Sequence, residues 1–261
     1  MDKEIMLMLY FSGTGNSKYV AELFASEMKA ACHSIEDAVD FGSLISESGT
    51  IAFCYPVYMS RVPRIMREFV SRHLGVLKGK KTVIFCTQLI LSGDGARSFA
   101  ALFPKNHALV IYAEHFFMPN NVSNVPVLPM PSENTINKCM DTAKRKMEKV
   151  CEDIRHGKVR KRGFNLFSRL LGLPQGVFIT KTEQLANNSF RADADCTVCG
   201  LCVRICPTNN LAINDGKITH NHNCTMCYRC INQCPKKAIR VLLRGKVKKQ
   251  YKGTKKSEET T

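Results

Sequence analysis

Forty residues, Cys196 to Pro235, constrain this chain of 261 residues more than any other stretch. They open with C-T-V-C-G-L-C-V-R-I-C-P and, 28 residues on, repeat as C-T-M-C-Y-R-C-I-N-Q-C-P. Each copy has the spacing C-x2-C-x2-C-x3-C-P, which holds a [4Fe–4S] cluster. Three close thiolates of a tight loop point at one cubane, and the fourth Cys is carried to the other cluster. The spacing therefore assigns Cys196, Cys199, Cys202 and Cys234 to one cluster, and Cys224, Cys227, Cys230 and Cys206 to the second. Pro207 and Pro235 turn the chain after the crossing thiolates, where no N–H is needed. Zinc would use four ligands per site and has no use for a third Cys followed by Cys-Pro, twice over. A disulfide framework suits exported chains.

A module of this size is too small to be held by apolar burial, so its clusters must serve as its core. The length allows one further domain of ordinary size, and a hydrophobic fraction of 44% allows that domain a core. Five other cysteines, Cys32, Cys54, Cys86, Cys139 and Cys151, are scattered and odd in number, as expected for reduced thiols of a cytoplasmic protein. The N-terminal M-D-K-E and the short apolar run after it read as neither a signal peptide nor a membrane span. Charge is uneven: residues 1–130 carry 12 Lys and Arg against 11 acids, 131–190 carry 12 against 6, and 191–261 carry 14 against 5. No nucleic-acid motif accompanies this excess, so an acidic redox partner protein is the expected match.

Residues 4–11 form a near-continuous apolar run, as in a central parallel strand buried on both faces. The loop Ser12-Gly13-Thr14-Gly15-Asn16-Ser17 follows, then a helical pattern with apolar Val20, Leu23, Phe24 and Met28. Strand, small hydroxyl-rich loop and helix make a phosphate site, because loop N–H groups and the helix N-terminus converge on an anion. Lys18 stands where a dinucleotide fingerprint needs a third Gly or Ala, and no G-x4-G-K-[ST] run is present. The loop resembles the FMN phosphate loop of flavodoxins, aromatic-x-[ST]-x2-[AGC]-x-T-x3-A. Tyr10, Ser12, Gly15 and Ala21 match it, and Ser17 replaces the Thr.

Further strand-like runs at Thr50–Cys54, Thr82–Cys86 and Leu109–Tyr112, and a weaker one near His33–Ile35, alternate with helical stretches near Pro63–Leu74 and Ala96–Phe103. This alternation implies an α/β fold with a doubly wound parallel sheet. The resemblance implies the flavodoxin-like order 2-1-3-4-5, with ligand outside the carboxyl ends of the strands. Pro56, Val57, Tyr58 and Met59 would then flank a flavin ring, with Tyr58 stacking on it. Thr87 and Gln88, with Ser92, Gly93, Asp94 and Gly95, would approach its N5 and pyrimidine edge. Cys54 and Cys86 end adjacent strands there and read as core residues. Met118-Pro119-Asn120-Asn121 reads as a turn, at either the flavin mouth or the domain interface.

A long helix is expected over Ser132–His156, capped by Ser132 and stopped at Gly157. Between 158 and 190 a basic, amphipathic connector follows, with Phe164, Phe167, Leu170 and Leu171 on its apolar face. Packing between domains is the favoured role for that face, and a membrane-surface helix the other. Residues 246–261 read as a basic, disordered tail. The domains expected are thus 1–157 (FMN-binding), 158–190 (connector), 191–245 (a small α+β two-cluster module) and the tail.

Residues 191–245 resemble the bacterial two-cluster ferredoxins, and the whole chain resembles the flavodoxin–ferredoxin fusion proteins of anaerobes. That resemblance implies an electron carrier with FMN and two [4Fe–4S] clusters. A reductase of a small organic acceptor, fed through the clusters and using Tyr58, Gln88, Asn120 and Asn121 as pocket residues, is the enzymatic alternative. A docking subunit without flavin is a third. No catalytic triad or paired acids can be argued, and whether the chain is an enzyme stays open.

Overall fold

The computed structural model describes residues 5–90, 93–105, 107–125, 128–243 and 245–253. The first half runs β1 (Met6–Tyr10), α1 (Asn16–Met28), β2 (Ala31–Ser34), α2 (Phe41–Glu47), β3 (Thr50–Pro56), α3 (Arg64–Arg72), α4 (Leu74–Leu77), β4 (Lys81–Gln88), α5 (Gly95–Ala100), β5 (Leu109–Phe117) and α6 (Glu133–Arg155). A sixth strand, β6 (Arg160–Lys161), extends the sheet to the order β2-β1-β3-β4-β5-β6, every pair parallel. The sequence expectation stopped at five strands, since the two basic residues of β6 carry no strand pattern.

Period-two alternation divides the core between the two faces of the sheet. Leu7 and Leu9, Ile51, Phe53 and Tyr55, and Ile84 and Cys86 join α3 and α5 on one face. Met8, Ala52, Cys54, Val83 and Phe85 join α1 and α6 on the other. Because both faces are covered, the central strands β1, β3 and β4 read as near-continuous apolar runs. An edge contact between Phe24 and Phe85 at 5.1 Å pins α1 to the sheet, and one between Phe41 and Phe69 at 4.9 Å joins α2 to α3. Each such buried ring contributes about 1.5–3 kcal/mol. Ser132 caps α6 as expected, its Oγ accepting from Thr135 N at 3.2 Å. Asp40 does the same for α2, which the sequence reading passed over.

The C-terminal half runs α7 (Leu166–Val177), α8 (Ile179–Ser189), β7 (Arg191–Ala192), α9 (Leu201–Arg204), β8 (Leu211–Asn214), β9 (Lys217–His220), α10 (Arg229–Gln233) and β10 (Ile239–Arg240). The 28-residue repeat of the cysteine runs is also a repeat of backbone. Val198 and Met226, Gly200 and Tyr228, and Asn209 and Lys237 occupy matching positions, all with positive φ. Helices α9 and α10 start at equivalent residues. Two small antiparallel pairs, β7–β10 and β8–β9, hold the repeats together. The second is closed by Asp215-Gly216 with φ 47° and 69°, the left-handed pair that a tight hairpin requires.

Two expectations are corrected. Of the four residues read as the connector's apolar face, Phe164 and Leu171 are partly buried while Phe167 and Leu170 stand exposed, because α7 turns its small and polar side inward. Residues 246–253 are not a loose tail: Val247 and Tyr251 are buried, and the Tyr251 hydroxyl reaches Asn16 Oδ1 at 2.6 Å. Residues 254–261 lie outside the described part. No described helix is long and apolar enough to cross a membrane.

Candidate cofactor cleft and thiol cavities

At the carboxyl ends of β1, β3, β4 and β5 the structure opens a cleft of about 240 Å³. Ser12, Gly13, Thr14, Asn16 and Ser17 line one end, and Pro56, Val57, Tyr58, Met59, Thr87 and Gln88 line the walls. Gly15, with φ 97°, is the N-cap of α1, a conformation open to Gly without strain. It turns the chain so that the Asn16, Ser17 and Lys18 N–H groups, which no helix carbonyl can satisfy, face the loop. Gly15 N donates to Ser12 Oγ at 3.1 Å, and Ser17 Oγ meets Thr87 Oγ1 at 2.7 Å. Asn121 Nδ2 donates to Thr14 Oγ1 at 2.8 Å, and Asn16 Nδ2 to Pro119 O at 2.9 Å. Hydroxyls, helix N–H groups and a dipole end thus gather at one point, a donor set suited to a phosphate.

The second β4 loop departs from expectation. Gly93, Asp94 and Gly95 do not line the cleft, and Ser92 lies outside the described residues. Asp94 is fully buried and bridges Arg61, at 2.7 Å, and Arg97. Helix α7 covers this loop so closely that a Cβ on Gly93 would lie 2.5 Å from Gly172 N. Once covered by α7 the carboxylate needs partners, and its pairing with Arg61 and Arg97 holds the loop away from the cleft.

The remaining wall comes from the Met118–Asn121 turn, for which the sequence left flavin mouth and domain interface both open, and from parts the sequence reading did not assign to this site. Met118, Pro119 and Val122 close the side beyond β5, and Met226, Tyr228 and Leu242 cross from the C-terminal half. Only the Met118–Asn121 turn carried a local signal; the others arrive through the packing of the two halves. That packing is close and polar. Arg229 donates to Ser12 O at 2.8 Å and Gly13 O at 3.3 Å while pairing with Glu36. A Cβ on Gly13 would lie 2.1 Å from Cys227 O, so the phosphate loop and the second cysteine loop touch through bare backbone. Arg67 pairs with both Glu183 oxygens at 2.9 Å, and Asn232 Nδ2 donates to Asn121 O.

Behind Met226 and Tyr228 lies a small cavity of about 20 Å³ whose lining includes Cys206, Cys224, Cys227 and Cys230. A second, also of about 20 Å³, has Cys196, Cys199, Cys202 and Cys234 in its wall. These are the two sets that the crossing pattern assigns. The thiols surround space instead of meeting at one point; among the described residues no group of three or more His, Cys, Asp or Glu is arranged to hold a metal ion. Backbone N–H groups point at sulfur: Asn210 N to Cys206 at 3.3 Å, Met226 N to Cys224 at 3.4 Å, and Ala238 N to Cys234 at 3.3 Å. Burial pushes the Cys227 thiol up to about 12 and the Cys202 thiol up to about 11. Any cation bound here must therefore displace protons. Burial, and then the nearby Cys227 and Cys224, also raises the Tyr58 hydroxyl well above its ordinary range. Tyr58 packs against the cluster of buried residues around this cavity and faces the cleft as well.

A parallel sheet with helices on both faces, a phosphate-type loop after its first strand and a cleft at its carboxyl edge define a nucleotide-binding α/β protein. The profile of the flavodoxin domain family matches residues 7–171, and the chain belongs to that family. Among solved structures it is similar to two-electron reduced flavodoxin of Megasphaera elsdenii, at 19% identity and TM-score 0.38, over 55% of this chain and 99% of that one. It is also similar to general stress protein 14 of Treponema denticola in complex with FMN, at 13% identity and TM-score 0.42, over 58% and 99%. The Trp repressor binding protein of Bacillus subtilis follows at 14% and 0.40, over 54% and 96%. Among curated proteins none matches.

Proposed function

We propose that the chain is an electron-transfer flavo-iron–sulfur protein, with FMN in the cleft and a [4Fe–4S] cluster in each thiol cavity. When bound, FMN supplies two-electron capacity and the clusters one-electron capacity. The observation that carries this reading is the shared wall: Met226 and Tyr228 border both the cleft and the Cys206/Cys224/Cys227/Cys230 cavity. Ser12 to Ser17 would hold the phosphate, and Tyr58 and Tyr228 would enclose the ring and exclude water. Backbone N–H groups at Cys206, Cys224 and Cys234 stabilise thiolate charge. Cys199 is exposed and belongs to the cavity away from the cleft, so an outside partner would meet the chain there. The basic excess of the C-terminal half favours a partner with an acidic docking surface.

Flavin, iron and sulfide assays on anaerobically purified protein test this. About one FMN and eight iron per chain, all reducible by dithionite, are expected. Eight iron without flavin, not restored by added FMN, would leave a cluster protein with a docking domain.

A further inference from the structure

The amphipathic helix α7 is mounted inside out. Its inward side is small and polar: a Cβ on Gly172 would lie 1.8 Å from Asp94 Oδ1, one on Gly176 would lie 1.9 Å from Arg61 Nη2, and Gln175 Oε1 accepts from Ser60 Oγ at 2.8 Å. Its outward side is apolar: Leu166, Phe167, Leu170, Leu173, Val177 and Phe178 are 69%, 68%, 60%, 43%, 71% and 54% exposed. The steps 166, 170, 173, 177 put them on one ridge. A ridge this apolar and protruding is an interaction surface.

We propose that this ridge docks the protein on the anionic surface of a lipid bilayer, lying in the interface without crossing it. Charge selects this occupant. Residues 158–182 contain six cations, Lys158, Arg160, Lys161, Arg162, Arg169 and Lys181, and no acid. Lys158, Arg160 and Arg162 each reach one carboxylate, of Asp153 or Glu114, yet their side chains stay 64%, 49% and 41% exposed. Apolar side chains bordered by cations suit acyl chains below anionic headgroups. A second copy would bring cations against cations. From Leu170 to Phe178 the exposed residues are Leu170, Leu173, Pro174, Val177 and Phe178. None of their side chains carries a polar group to fix the register of a protein partner, whose interfaces carry about one hydrogen bond per 100–200 Å².

The test is sedimentation of the full-length protein with phosphatidylcholine vesicles, alone or containing about a third phosphatidylglycerol. Binding to the anionic vesicles, weakened by salt, and little to the neutral ones is expected. The double substitution Phe167→Glu with Leu170→Glu should lower that binding by at least roughly tenfold. Both side chains are exposed, so circular dichroism should stay unchanged. The chain has no Trp, so Phe167→Trp places one reporter on the ridge, and its emission should shift to the blue on anionic vesicles. Absence of anionic-vesicle binding, or binding that the double substitution leaves intact, would overturn the proposal. So would a lipid-free dimer abolished by the same substitution, which would assign the ridge to a second copy, or an unshifted Trp emission.

Discussion

Gly13 shows how much one residue can carry. It belongs to the phosphate loop, and its missing Cβ is also what lets the Cys227 backbone approach. Gly13→Ala should separate the loops and destabilise the fold by about 1–3 kcal/mol, read by urea unfolding. Ser12→Asp, by contrast, sets a carboxylate where the donors converge. It should abolish FMN binding, and unchanged flavin content in the purified variant would remove the loop assignment. Buried thiols outside the cavities set the response to alkali. Burial raises Cys86 and Cys151 to about 12, and Cys54 well above its ordinary 9.0. Below about pH 9 folded and unfolded chains both hold these protons, so stability is fully present there. As pH climbs from 9 toward 12 the unfolded chain ionises first, and stability falls by about 1.4 kcal/mol per thiol per pH unit. Denaturation midpoints should decline over that range, and Cys151→Ala should make the decline shallower.

Elements were legible where the pattern was local. The apolar runs of β1, β3 and β4, the Ser132 cap and the Ser12–Ser17 loop all announce themselves within a few residues. Helix α7 did not, because its chemistry is right for an amphipathic helix while its orientation is not a local property. Its inward side is chosen by Asp94, buried with Arg61 and Arg97 beneath it. The same packing took Gly93 to Gly95 out of the cleft. Asp94→Ala would leave two guanidinium groups partly buried without their carboxylate. It should destabilise the first half by about 3–5 kcal/mol and loosen α7, read by calorimetry and by proteolysis within 163–178. The strand β6 has a similar origin. Burial raises the Glu114 carboxyl, but Lys146, the His115 N–H and Arg160 outweigh it and hold it below its ordinary value. Arg160 and Arg162 then tie the strand to β5 through this carboxylate.

At the scale of the molecule the two halves form one contact system, and Tyr251 returns from beyond the second half to Asn16 in the first. Cys199→Ser is expected to lose the cluster of the outer cavity while retaining FMN; loss of flavin as well would show that the halves do not bind cofactors independently. Eight thiols in two equal runs and the strand-and-helix alternation of the first half were written in the sequence. Ligand spacing within a loop and hydrophobic period within a strand are short-range quantities, fixed by covalent geometry and side-chain type. What only the tertiary structure decided is which surfaces meet. Tyr228 and Met226 close the cleft, Asp94 withdraws from it, residues 246–253 pack down, and the apolar side of α7 is left facing outward. Those outcomes depend on burying charges with partners and on fitting backbone to backbone over more than a hundred residues of separation, as between Gly13 and Cys227, and no local pattern encodes them.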